Sequence, residues 1–171
     1  MKIALLSATC ILFLAGLACA QNQSIYTSTR TSACRTIESS PNEGGYYVGE
    51  CNGVGGYKVR LTEGDIRQTL TIITPARKKQ ELDFWSLYSS FSYIGEKLEW
   101  RTKKGVPVAL IARYYVADPE GNKKDTSYLL VSKIDKTGSC VTDSVPPQAG
   151  QNEKARELAD AASSKPCKKS D

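Results

Sequence analysis

The 171-residue chain contains 23 lysines and arginines, 18 aspartates and glutamates, and no histidine. The absence of histidine excludes Ser-His-Asp and Cys-His catalytic arrangements and the usual histidine-ligated zinc sites. The net charge is +5, whereas nucleic-acid-binding domains usually concentrate much more basic charge, so we expect no nucleic-acid partner.

The first 20 residues are typical of a secretory signal peptide. One lysine precedes an apolar run over 3–17, and residues 18–20, Ala-Cys-Ala, offer the small residues that precede cleavage. An uncleaved anchor is the first alternative, but the run is shorter than the roughly 20 residues that span a bilayer. Lipid attachment at Cys19 is the second, although Gly16 stands where a large aliphatic residue is preferred. We expect an exported protein, periplasmic or secreted, without a transmembrane segment after cleavage.

Four cysteines remain after the expected cleavage: Cys34, Cys51, Cys140 and Cys167. An even number in an exported chain predicts disulfides, with three connectivities open. We favour Cys34–Cys51 and Cys140–Cys167, because each pair brackets one end of the domain. The cysteines lack zinc-site spacing, so we predict no metal site and no cofactor.

Residues 21–33 are polar, and we interpret them as a flexible N-terminal lead to a single domain over 34–171. Alternation over 57–62 and β-branched residues over 67–73 predict two strands joined as a hairpin. The proline and basic residues of 75–80 predict a solvated loop.

The next segment carries an aromatic pattern. Phe84, Leu87, Tyr88 and Phe91 fall at i, i+3, i+4 and i+7, which predicts a short amphipathic helix that packs on the core.

Strand signals continue to residue 145. Residues 97–101 alternate, and the apolar run over 106–116 predicts a central strand buried on both faces. Two further strands are expected over 127–135 and 140–145. Strong helix formers after an asparagine cap then predict a helix over 152–163.

These elements predict a mainly β (α+β) domain. The chain shows no alternation of strands with helices, which favours an antiparallel curled sheet, either a small barrel or a sandwich. A C-terminal helix and two disulfides complete the expected fold.

Basic side chains give the candidate binding residues. Alternation places Arg60, Arg67 and Arg101 on one polar face, with Trp100 packed beneath; a plain solvated face is the alternative. Arg113 interrupts an apolar strand and must be paired. Its partner is either a structural carboxylate, Glu99 or Asp65, or a carboxylate or phosphate of a ligand.

Carboxylates give the catalytic alternative. Two of Glu50, Glu63, Asp65 and Glu99 could hydrolyse a glycan if they faced one cleft, whereas ion pairs at hairpin ends are the structural alternative. The oxygen-rich stretch 118–125 departs from the calcium-loop pattern.

The glycine-rich stretch 50–59 resembles a ligand loop. It lacks the Gly-Lys-Ser/Thr of a phosphate loop, the following helix of a dinucleotide site and the second cysteine of a redox motif. We interpret it as a disulfide anchor followed by a tight turn at Asn52-Gly53.

Several strings resemble a group of small exported bacterial proteins of unknown function. They are Cys51-Asn-Gly-Val-Gly-Gly-Tyr57, Glu63-Gly-Asp-Ile-Arg-Gln68, Glu99-Trp-Arg101 and Pro107-Val-Ala-Leu-Ile-Ala-Arg113. The resemblance covers most of the mature chain and implies bacterial export to the periplasm, with no named activity.

A second segment, Trp100-Arg-Thr-Lys-Lys-Gly105, is similar to one in periplasmic lysozyme inhibitors of the small β-barrel kind. The serine- and glycine-rich motif expected to enter the lysozyme cleft is absent from this chain.

We therefore expect a non-enzymatic exported domain that binds a protein, a peptide or a cell-envelope component. The alternatives are a carboxylate-based hydrolase of cell-wall glycan and a lysozyme inhibitor. The sequence specifies no oligomeric state.

Overall fold

A computed structural model describes residues 22–42 and 45–169, so the expected signal peptide lies outside the described residues. This part of the chain is mainly β with one α-helix, which confirms the predicted fold class. Its strands are β1 Gln23–Ser28, β2 Cys34–Ser40, β3 Tyr46–Asn52, β4 Lys58–Gly64, β5 Arg67–Ile73, β6 Lys79–Glu81, β7 Ser92–Lys103, β8 Val106–Val116, β9 Thr126–Lys133 and β10 Cys140–Val145. The α-helix is α1, Gln151–Asp160, and 3-10 turns occupy Thr31–Ala33, Phe84–Leu87 and Ala162–Ser164.

The strands form one curled sheet in the order β10-β9-β8-β7-β5-β4-β3-β2, with β1 paired to β7 and β6 paired to β5. Neighbouring strands are antiparallel, except for a short parallel contact between β5 and β7. The sheet does not close into a barrel.

Alternation along the strands separates two apolar clusters. Leu98 and Leu110 point into the main core with Trp100, while Ile111 and Val131 face α1 on the other side of the sheet. Strand β8 is therefore buried on both faces, as its apolar run predicted. The helix contributes alanines to the second cluster, and their small side chains let it lie close to the sheet.

The interpretation of 21–33 as a flexible lead is wrong for residues 23–28, which form β1 against β7. Polar side chains give this segment its partners: Thr27 Oγ1 accepts a hydrogen bond from Trp100 Nε1 at 2.8 Å, and Ser24 contacts Glu99 and Arg101. The polar composition of this segment predicts a solvated segment, because the cross-strand hydrogen bonds that hold it as a strand are not visible in the sequence.

The predicted amphipathic helix over 84–91 is wrong beyond one turn. The 3-10 turn ends at Leu87, because Tyr88 is extended at φ −148° and ψ 133°. Tyr88 and Phe84 still pack against Tyr114, whereas Phe91 is half exposed.

At the C-terminal end, the predicted helix is confirmed as α1 followed by the turn Ala162–Ser164. Gly150 at φ 68° precedes α1 in place of the expected asparagine cap.

Both predicted disulfides form: Cys34–Cys51 joins β2 to β3, and Cys140–Cys167 ties the C-terminal tail to β10. Disulfides of this kind fit an oxidising environment. Within residues 22–42 and 45–169, no helix combines the length and apolar character needed to cross a bilayer.

Candidate functional site

A groove of about 910 Å³ lies beside α1, across the α1-facing side of β7 and β8. We call it the helix-side groove. Its lining includes Tyr26 of β1, Tyr93, Gly95, Lys97 and Glu99 of β7, Arg113 and Tyr115 of β8, and Asn152 and Arg156 of α1.

An irregularity in β7 shapes the floor of the groove. Ile94 pairs with Tyr114, but the next pair is Leu98 with Ala112, so β7 carries two additional residues here. Gly95 lies in this bulge, where a Cβ would come within 3.1 Å of the Cβ of Arg113. A larger residue at position 95 would therefore fill the floor beneath Arg113.

Arg113 reaches across the groove to neutral partners. Its Nη1 donates to Ser127 Oγ at 2.6 Å and to Gln151 Oε1 at 3.1 Å, and its Nη2 donates to Asn152 Oδ1 at 3.3 Å. None of these partners is charged, so the guanidinium keeps an uncompensated positive charge at the surface of the groove.

The predicted pairing of Arg113 with Glu99 or Asp65 is wrong. Glu99 accepts hydrogen bonds from Arg156 of α1 at 2.7 and 3.3 Å, and Asp65 pairs with its neighbour Arg67 at 2.7 Å. The bond to Glu99 is the main cause that raises the pKa of Arg156 above its ordinary value. Both carboxylates are therefore occupied by other arginines.

Tyrosines provide the apolar surface of the groove. The rings of Tyr93 and Tyr115 stack with their centroids 4.7 Å apart and an interplanar angle of 14°. Burial, followed by a hydrogen bond with Asp125, raises the pKa of Tyr93. Opposite them, Lys97 Nζ lies 5.5 Å from the ring centroid of Tyr26. Flat rings beside the cationic side chains of Lys97 and Arg113 suit a ligand that has both an apolar and an anionic part.

Trp100 and Arg101, two of the predicted binding residues, are structural. Trp100 is fully buried in the main core. Arg101 is 6% exposed and forms a two-point bond with Asp160 at 2.8 Å for each contact, which is the main cause that raises its pKa. Burial alone would raise the pKa of Asp160, but the bonds from Arg101 and Asn22 outweigh it and leave that pKa lowered.

The expected common face of Arg60, Arg67 and Arg101 is not one site, because each arginine has a partner in a different place. Arg60 lies 3.6 Å from Glu50 of β3, Arg67 pairs with Asp65 in its own hairpin, and Arg101 pairs with α1.

The four candidate carboxylates are also dispersed. Glu50 lines a separate recess and accepts a hydrogen bond from Lys58 at 2.8 Å, which is the main cause of its lowered pKa. Glu63 accepts from Gln68 at 2.7 Å. Asp65 and Glu99 pair with arginines, so each carboxylate has its own partner.

The described residues contain no group of three or more His, Cys, Asp or Glu side chains placed to hold a metal ion.

Sequence reasoning identified Arg113 but missed Tyr93, Lys97, Tyr115 and Arg156. The alternation over 97–101 already places Lys97 on the same face as Glu99. The bulge between Ile94 and Leu98 breaks the alternation, so the pattern of 97–101 does not extend back to Tyr93. No sequence signal places α1 beside this strand.

Comparison of the chain with protein-family models, curated proteins and solved structures finds no match. The resemblance to small exported bacterial proteins therefore stays an expectation from the sequence.

Proposed function

We propose that this protein is an exported, non-enzymatic binding domain whose helix-side groove holds a segment of a protein, a peptide or another cell-envelope component. The ligand presents an anionic group to Arg113 and an apolar part to Tyr93 and Tyr115. The observation that carries the proposal is the guanidinium of Arg113, whose partners among the described residues are all neutral, at the surface of a groove lined by tyrosines.

The chemistry of the groove favours binding over the hydrolase alternative. A glycosidase needs two carboxyl groups facing one cleft, about 5 to 9.5 Å apart. Two glutamates line the groove, Glu99 and Glu96, and each is held in a charge-assisted pair, Glu99 by Arg156 and Glu96 by Arg30. Both carboxylates therefore already accept hydrogen bonds from arginines of this chain.

The lysozyme-inhibitor alternative would use the segment Trp100–Gly105 as a contact surface. In that segment, Trp100 and Thr102 are buried, so neither side chain offers surface to a partner.

Site-specific photo-cross-linking tests the proposal. A photoreactive phenylalanine replaces Tyr93 in the groove, and the same residue at exposed Ile66, in the β4–β5 turn, serves as the control. We expect a discrete cross-linked adduct from position 93 in the native compartment and none from position 66. Adding Arg113→Gln should remove the adduct. Equal labelling from both positions, or an adduct that persists in Arg113→Gln, would contradict the proposal.

A further inference from the structure

A second surface, distinct from the groove, lies at one end of the sheet. The strand order places four hairpin loops at this end, after β3, β5, β7 and β9. The first loop contacts the second and the third: a Cβ built on Gly56 would lie 3.5 Å from Pro75 Cγ, and one on Gly55 would lie 3.5 Å from the carbonyl oxygen of Gly105. The first three loops therefore form one surface.

The fourth loop joins the same surface through Gln80, which follows the second loop. Its Nε2 donates to the carbonyl oxygens of Asp135 and Lys136 at 3.0 and 3.3 Å. Direct contacts therefore join all four loops into one surface.

We call the exposed part of these loops, together with the adjoining strand residues Lys79 and Lys103, the basic end. It carries Arg77, Lys78, Lys79, Lys103, Lys104 and Lys136, all exposed. Within the described residues, none of the six forms a salt bridge. The loops between these strands contain a single acidic residue, Asp135.

The loops at the other end have the opposite balance. These loops carry more acidic than basic residues. The acidic residues are Asp65, Asp83, Asp118, Glu120 and Asp125, and the basic ones are Lys123 and Lys124 of the β8–β9 loop. The small net charge of the chain therefore conceals a separation of charge along the sheet.

Apolar side chains project among the lysines of the basic end. Val106 is 54% exposed beside Lys104, and Pro75 and Ala76 are exposed beside Arg77. Arg77 and Lys104 both hold positive φ, 63° and 51°, a conformation that glycine adopts at less cost. The chain thus carries long cationic side chains at two loop positions where glycine would be less strained.

We propose that the basic end docks on an anionic lipid surface. Basic residues attract anionic headgroups, and exposed apolar tips between them enter the boundary between headgroups and acyl chains. A nucleic acid fits less well, because the four described loops contain no exposed aromatic residue on which a base could stack. The inference uses residues outside the helix-side groove, so either proposal can fail without the other.

Vesicle co-sedimentation of the mature chain tests the inference. The vesicles are phosphatidylcholine alone, or equal parts of phosphatidylcholine and phosphatidylglycerol. We expect binding to the anionic vesicles only, with a partition coefficient that falls as salt is raised. The variant Lys103→Gln/Lys104→Asn removes two charges, and asparagine tolerates the positive φ at position 104. Since each basic residue strengthens binding about five-fold, the pair should cost roughly 25-fold.

The matched control is Lys123→Gln/Lys124→Asn, which makes the same change in net charge at the other end. It should bind nearly as the unchanged chain does. Circular dichroism verifies that both variants are folded. Equal weakening in both variants, binding to neutral vesicles, or no binding to anionic vesicles would overturn the inference. Tighter binding to a duplex oligonucleotide, measured by fluorescence anisotropy, would overturn it in favour of a nucleic acid.

Discussion

Two arginines on neighbouring strands have different partners. Arg101 lies in the alternating strand β7 and Arg113 in the apolar strand β8, and both contact α1. Arg101 is buried and held by Asp160, so its charge belongs to the fold. Arg113 is half-buried and, within residues 22–42 and 45–169, bonds to neutral oxygens rather than to a carboxylate. The charge of the partner, rather than the identity of the strand residue, separates the structural arginine from the binding arginine.

This distinction predicts different effects on stability. Arg101→Gln breaks a partly buried two-point ion pair and should lower the free energy of unfolding by about 2 kcal/mol. Arg113→Gln loses bonds near the surface and should cost less than about 1 kcal/mol. Urea unfolding of the two variants measures both values. A loss for Arg113→Gln as large as that for Arg101→Gln would mean that Arg113 serves folding.

For Arg113, the sequence predicts that the arginine needs a partner but does not predict which residue that partner is. An arginine in an apolar strand is visible in the sequence, and the need for a partner follows from desolvation. The choice of partner depends on which side chains tertiary packing brings near. Arg156, 57 residues beyond Glu99, occupies that carboxylate. No local pattern encodes such a pairing.

The terminal elements build the groove together. Strand β1 pairs with β7, α1 packs on the same face, and Asn22 donates to Asp160 at 3.0 Å to join them. Arg156 Nη2 also donates to Tyr26 Oη at 3.2 Å. The groove therefore depends on how firmly the two ends of the chain are held against the sheet.

The disulfide Cys140–Cys167 is the covalent part of this attachment. Replacing both cysteines with serine opens a loop with a sequence separation of 27 and should lower the free energy of unfolding by about 3.5 kcal/mol. The same change at Cys34 and Cys51 opens a separation of 17 and should cost slightly less, about 3 kcal/mol. Denaturant unfolding gives both values. A loss below about 1 kcal/mol for the first pair would show that packing alone holds the tail.

Element prediction succeeds where one physical signal dominates. The apolar run of β8 and the helix formers of α1 specify their elements locally. The segment 84–91 has helical spacing, but its aromatic residues pack individually in the core: Phe84 and Tyr88 each contact Tyr114 of β8. Strand β1 has no apolar stripe, so only its pairing with β7 defines it.

At the scale of the whole molecule, the two proposed surfaces are separate. The helix-side groove lies against α1, and the basic end lies on the loops after β3, β5, β7 and β9. Taken together, the two proposals predict a domain that rests on an anionic surface while its groove binds a second component.

The most direct test of the central claim is a titration followed by nuclear magnetic resonance. The ¹⁵N-labelled chain over residues 21–171 receives N-acetyl-alanyl-alanine, which ends in a carboxylate, and in a parallel sample the corresponding amide. We predict saturable shifts for Gly95, Lys97, Arg113 and Asn152 with the carboxylate, binding about ten-fold weaker with the amide, and loss of this preference in Arg113→Gln. Equal affinity for the two peptides, or shifts that leave the groove residues unchanged, would contradict the claim that Arg113 makes this groove an anion-binding site.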